Sequence, residues 1–193
     1  MNPPDLAEPP QGLRSLRPTV LVLASGQGAR YLASGGSTHK LQADLCGQTV
    51  LRRTLDAVRA SGLPWHLEDA GHPGMGDSIA AAVCATADAA GWLVLPADLP
   101  LVRASTLVQL ASHPMACDVL VPTVHGQRGH PVRFAQRCGA ALAALQGDAG
   151  AAALVRAWGS ETLAVDDEGC VFDIDTVADL QAAVARWQLV TRS

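Results

Sequence analysis

Aromatic side chains are scarce in this sequence: four Trp, two Phe and one Tyr make up 4% of its 193 residues. Proteins that hold single-stranded nucleic acid stack bases on such rings, so a chain this poor in them is not built as a stacking platform. Charge is thin as well, 17% of residues with a formal net charge of −4, which offers no pull toward a nucleic-acid backbone or an anionic membrane. The five cysteines (Cys46, Cys84, Cys117, Cys138, Cys170) are odd in number, scattered, and never spaced as CxxC, which argues against a disulfide framework or a cysteine-ligated zinc. No run approaches the ~18 uncharged apolar residues of a membrane span, and the first residues lack the apolar core of a signal peptide. The expectation is a cytoplasmic protein with a small-molecule partner, without nucleic acid or membrane.

What is present is a 49% hydrophobic fraction built from Ala, Val and Leu, which suits helices laid closely on a sheet and excludes a disordered chain. Residues 1–17, with four prolines and no period, read as a mobile tail, and 18–193 as a single domain. The run TVLVLAS (19–25) is apolar, β-branched and without polar alternation, the signature of a strand buried on both faces. A helix follows at 49–60, and the alternation continues: helix 77–89, strand 92–98, helix 104–112, strand 118–123, a turn with a short strand at 130–134, helical stretches 136–145 and 148–158, strand segments 161–166 and 170–174, and helix 176–187. Alternating elements of this kind specify an α/β fold, a three-layer, mostly parallel Rossmann-like sheet with helices on both faces. Ligands in such sheets bind beyond the carboxyl ends of the strands.

Three such places carry chemistry. After the first strand, Gly26 and Gly28 let backbone N–H groups approach a phosphate, and Arg30 and Lys40 concentrate positive charge that the chain otherwise lacks. The loop is neither a Walker A motif nor a dinucleotide fingerprint. In PADLP (96–100), the lone carboxylate of Asp98 ends an apolar strand, where Mg²⁺ is a natural partner and an N-cap role the alternative. In VFDIDT (171–176), Asp173 and Asp175 are two apart, which on a strand would direct both to one face; Asp175 or Thr176 could equally cap the next helix.

LASGQGAR (23–30) with Lys40, GMGDSI (74–79), PADLP (96–100), GQRGHPVRF (126–134), GDAGA (147–151) and DIDT (173–176) occur in one order over roughly residues 18–187. In that order they resemble nucleotidyltransferases similar to molybdenum cofactor cytidylyltransferase. The resemblance implies a fold of the nucleotide-diphospho-sugar transferase type and an Mg²⁺-dependent transfer of CMP from CTP to molybdopterin, with GTP the second donor. It implies that Gly26, Gly28 and Arg30 hold phosphates and that Lys40 neutralises the triphosphate. Ala24 and Ser25 would leave room for the base, Gly76 and Ser78 would lie by the nucleotide, and Asp98 and Asp175 would hold Mg²⁺. Gly129, His130 and Pro131 would line the acceptor pocket, although His130 also reads as a core histidine under a turn. A molybdoenzyme or its maturation chaperone is the implied recipient.

Two departures stand out. Arg30 and Lys40 are ten positions apart, wider than in relatives, and the segment 61–74 is too short for a strand–helix–strand passage, so a βα unit is expected to be missing and one side of the sheet altered. Two other classes are compatible with the fold: a nicotinamide-dependent oxidoreductase, against which Lys40 and the acids argue, and a non-catalytic nucleotide-binding maturation protein.

Overall fold

Strand β1 (Thr19–Leu23) is buried along its whole length, and its alternation sets the layers: Val20 and Val22 enter one apolar cluster, Leu21 and Leu23 another on the opposite face. The computed structural model describes residues 17–190, so the expected tail lies, apart from Arg17, outside the described residues. Strand β3 (Gly91–Pro96) repeats the pattern, with Leu93 and Leu95 on the first side and Trp92 and Val94 on the second. With β2 (Trp65–Glu68), β4 (Val119–Val124), β5 (Gln127–Arg128), β6 (Val132–Ala135) and β7 (Glu161–Ala164), these form one sheet in the order β2-β1-β3-β6-β4-β5, β7 lying along β4. β1, β2 and β3 pair in parallel, as do β4 and β7, while β6 runs antiparallel between β3 and β4, and β5 antiparallel to β4. The sheet is therefore mostly parallel, with only β5 and β6 reversed.

Helices cover both faces. α2 (Val50–Ala60), α4 (Ala104–Ser112) and α7 (Val177–Val190) pack on the first cluster through residues such as Val58, Leu110 and Ala183. α3 (Met75–Ala85), α5 (Gly139–Ala143) and α6 (Ala152–Trp158) pack on the second through Ile79, Leu142 and Leu154. Thr49 starts α2 by accepting the Arg52 N–H at 3.2 Å, and Gly62 at φ +64° lets the chain turn back after it. Among the described residues no helix is long and apolar enough to cross a membrane.

Three local expectations are corrected. Residues 170–174 are not a strand: a 3-10 turn at Glu168–Val171 is followed by extended chain. The reason is tertiary, since a Cβ on Gly169 would lie 2.2 Å from the Leu101 carbonyl, and Cys170 O and Ile174 N bond two different segments, His130 N and Asp98 O. The helix expected at 148–158 begins only at Ala152, because residues 147–150 pack as a loop on the start of α3. The stretch 136–145 is a 3-10 turn (Gln136–Cys138) running into the short α5. The short segment 61–74 still supplies β2, which closes the sheet beside β1, and Arg30 falls within a short helix, α1 (Ala29–Ala33).

Candidate functional site

The end of β3 is tied to its neighbours before any side chain acts. Ala97 N donates to Leu23 O (3.0 Å), Thr54 Oγ1 donates to Ala97 O (2.9 Å), and Ile174 N donates to Asp98 O (3.0 Å). These bonds bring Asp98 and the chain just after Ile174 to one point. Thr176 and Asp179 then form a reciprocal cap at the start of α7: Thr176 N and Oγ1 both donate to Asp179 Oδ2 at 2.7 Å, and Asp179 N donates to Thr176 Oγ1 at 3.2 Å. With the cap made by Thr176, the Asp175 side chain is left to face Asp98.

Lys40 joins the two acids. Its Nζ donates to Asp98 Oδ2 at 2.6 Å and to Asp175 Oδ1 at 3.0 Å, and the three side chains are only 12%, 15% and 19% exposed. Arg30, at the mouth with a 79% exposed side chain, pairs with Asp175 Oδ2. Burial pulls the Lys40 pKa down, but the charges and hydrogen bonds of Asp98 and Asp175 outweigh it and hold the pKa above the ordinary value. Lys40 is therefore a permanent cation between two carboxylates. The ten-residue interval to Arg30 is closed by His39, whose Nε2 donates to Gly26 O at 2.7 Å while Nδ1 accepts the Leu41 N–H at 3.3 Å. Gly28, at φ +64°, passes so near that a Cβ would touch His39 and Lys40 at 3.4 Å.

Asp98 Oδ1 is buried without a hydrogen-bond partner. An unsatisfied carboxylate oxygen beside a second carboxylate fits a hard divalent cation, which takes one or two protein oxygens and completes its shell with water and phosphate. Among the described residues no group of three or more His, Cys, Asp or Glu could hold a metal unaided, in keeping with a shell that a substrate must complete.

These groups line a cavity of about 570 Å³ bounded by the glycine loop, the end of β3, residues 127–130 and the 170–175 segment. Gly129 and His130 line it, whereas Pro131 is buried and does not. A Cβ on Gly129 would meet the Cys170 carbonyl at 2.4 Å, so only glycine fits there. His130 is exposed to this cavity and is not a core residue; crowding by the protein lowers its pKa, against the opposing pull of Asp98 and Asp173. Partial burial, then the charges of Asp175 and Asp98, raise the pKa of Asp173 at the rim.

A second cavity of about 450 Å³ shares Leu23, Gly26, Gln27 and Met75 with the first. Ser25 and Ser78 line it; Ser25 Oγ is buried without a partner, and Ser78 Oγ donates to Gly74 O at 3.0 Å. Gly76 and Ala24 do not line either cavity. Gly76 lies against the 146–149 loop, its N–H donating to Gly147 O at 2.7 Å, and a Cβ there would meet Gln146 O and Ala149 O at 2.8 Å. Ala24 N instead donates to Glu68 O at 2.8 Å. Sequence reasoning did not single out Met75 or His72, which line the cavities, or His39, which is bonded to Gly26 O behind the glycine loop; the histidine directly before Lys40 was the available signal for the last.

Residues 56–163 match the family described as MobA-like NTP transferase domain. No curated protein matches the chain. Among solved structures, Rv0371c from Mycobacterium tuberculosis H37Rv superposes with a TM-score of 0.73 at 26% identity, covering 88% of this chain and 97% of that one. A complex of Rv0371c with manganese gives 0.69 at 24% identity over 88% and 98%. A nucleotidyl transferase from Methanothermobacter thermautotroptrophicus gives 0.74 at 17% identity over 90% and 99%.

Proposed function

We propose, for a chain that belongs to the MobA-like NTP transferase family and is therefore a nucleotidyltransferase, that it moves CMP from CTP to a phosphorylated acceptor, molybdopterin, with Mg²⁺ as cofactor. The observation that carries this reading is the Lys40–Asp98–Asp175 cluster, with its unpartnered Asp98 Oδ1, beneath a glycine loop in a 570 Å³ cavity. The donor and acceptor identities rest on the ordered motifs in the sequence. Ser25, Gly26, Gly74 and Ser78 in the lining of the second cavity leave room for a base held without a Phe, Tyr or Trp ring.

In the proposed reaction an acceptor phosphate oxygen attacks the α-phosphorus of CTP. The new O–P bond forms as the bond from α-phosphorus to the α,β-bridging oxygen breaks, and pyrophosphate leaves carrying that electron pair. An ionised phosphate needs no general base. Asp98 and Asp175 would hold Mg²⁺, which supplies charge neutralisation for the triphosphate and the leaving group. Lys40 stabilises charge on the transferring phosphoryl oxygens, Arg30 reaches over the mouth to the outer phosphates, and the N–H groups around Gly26 and Gly28 orient them. His130 and Gly129 flank the acceptor side.

Pyrophosphate release with CTP, GTP, ATP and UTP tests the proposal. CTP is expected to be fastest, and equal rates with all four would remove the cytidine assignment. Asp98→Asn is expected to abolish release while leaving the thermal transition in place; near-normal activity would remove Asp98 from the metal site.

A further inference from the structure

Glu68 is a buried carboxylate that no step above uses. It ends β2 with a side chain only 9% exposed and faces a histidine on each oxygen: His72 Nε2 lies 3.1 Å from Oε1, and His66 Nε2 lies 3.4 Å from Oε2. Oε1 also accepts the Ala70 N–H at 3.2 Å, and the Glu68 carbonyl is fixed by Ala24 N beside the glycine loop. A carboxylate taken out of water needs donors, so Glu68 draws the His72 ring proton to Nε2. In the neutral ring the other nitrogen, Nδ1, is then an acceptor only. His72 lines the second cavity with Pro73, Met75, Ser78, Asp148 and the unpartnered hydroxyl of Ser25.

We propose that His72, oriented by Glu68, reads the edge of the nucleobase in this cavity, accepting a hydrogen bond from the exocyclic amine of cytosine and refusing the carbonyl that uracil carries at the same position. The inference rests on the reading of the protein as a nucleotidyltransferase and names a specificity residue for it. Cytosine and uracil are nearly isosteric, so discrimination has to come from donor and acceptor pattern, and an acceptor set against a carbonyl leaves two lone pairs facing one another. The charged groups around His72 point the same way. Glu68 behind it and Asp148 across the cavity are both acidic, His66 is engaged by Glu68, and a negative surround favours a donor on the base. Met75, 41% exposed where the two cavities meet, offers a polarisable thioether to the face of the base where other proteins use a ring.

The test is kcat/KM for CTP and UTP in the wild type, His72→Phe and Glu68→Gln, with thermal midpoints measured alongside. The wild type is expected to prefer CTP by about tenfold or more, the scale of one unmade hydrogen bond in a closed site. His72→Phe, which keeps a ring without an acceptor, is expected to bring the ratio to within about threefold. Glu68→Gln is expected to do the same with His72 still present, because an amide accommodates either tautomer. Variants that retain the wild-type ratio, or a wild type that uses CTP and UTP equally, overturn the role of His72 while leaving the nucleotidyltransferase reading intact. A wild type that turns over none of the four nucleotides overturns that reading and this inference with it. Because His72 is 28% exposed, the Phe variant decides the matter even if Glu68→Gln fails to fold.

Discussion

Replacing Lys40 with methionine tests the electrostatic centre of the site. The substitution keeps the apolar stem and deletes the ammonium that donates to Asp98 at 2.6 Å and to Asp175 at 3.0 Å. Two carboxylates, 15% and 19% exposed, would then face one another without a shared cation, relieved only in part by Arg30 at the surface. Removing one partner of a fully buried ion pair costs about 3–5 kcal/mol, and an open, wetted cavity reduces that to about 1–3 kcal/mol. For a domain of this size the thermal midpoint falls by about 3–10 °C at pH 7. Mg²⁺ at millimolar concentration is expected to restore part of the loss in Lys40→Met, because Asp98 and Asp175 would hold a divalent ion whose charge offsets their repulsion, and to shift the wild type less. The pH dependence has a definite sign. A lysine whose folded pKa is raised contributes its full stabilisation below its ordinary value of 10.5, and loses it as pH rises through the higher folded value. The difference between wild type and variant should thus be constant from neutral pH to the ordinary lysine value and narrow only beyond it. Thermal unfolding by circular dichroism, with and without Mg²⁺, measures both effects. A Lys40→Met protein with an unchanged midpoint and no response to Mg²⁺ would refute the reasoning.

Three further outcomes are expected. His39→Ala frees the glycine loop from the Gly26 carbonyl and should raise KM for the nucleotide by about 3–10-fold with a smaller effect on kcat; an unchanged KM would mean that the loop is held by other contacts. Thr176→Ala breaks the reciprocal cap of α7 and should lower stability by about 1 kcal/mol in urea titration. Slight burial raises the Asp179 pKa, but the Thr176 hydroxyl and N–H outweigh it and hold the pKa below its ordinary value; this stabilisation is present above 3.8 and is lost as pH falls through the folded value, so the acid limb of the stability curve should be shallower in Thr176→Ala. The Cys170 pKa is pushed up to about 12 by burial and by Asp167, so iodoacetamide at about pH 8 should label the exposed Cys84 and Cys117 in the native protein and spare Cys170; equal labelling by mass spectrometry would contradict the burial.

The parts of the fold legible from the sequence are those where local pattern and tertiary demand agree. TVLVL is apolar on both sides because β1 is covered on both faces, and the helix at 104–112 has the bounds its periodicity implies. Where a single contact overrides pattern, the sequence misleads. CVFDI has strand composition, yet its backbone bonds go to His130 and Asp98 separately, and no ladder forms. β2 was within reach, since Trp65 and Leu67 pack on the core and alternate with His66 and Glu68, but four residues with two polar members give a weak signal. At the site, Lys40 after the glycine loop and Asp98 after β3 stood where ligands bind in such a sheet, whereas Asp175 reached the same point after a segment that reads as a strand and is not one. The part His39 plays in spanning the wide interval to Arg30 depends on a carbonyl thirteen residues away, which no spacing rule encodes. Gly76 shows the converse: its motif suggested a ligand contact, whereas the carbonyls of Gln146 and Ala149 explain the glycine by packing alone.

The most direct measurement follows the phosphorus atoms. CTP labelled in the α-phosphate and, separately, in the γ-phosphate is incubated with the protein, Mg²⁺ and molybdopterin. Nucleotidyl transfer puts the α label in the acceptor and recovers the γ label in pyrophosphate, and both transfers stop in Asp98→Asn. Delivery of the γ label to the acceptor, or its release as orthophosphate with the α label still in nucleoside diphosphate, would contradict it.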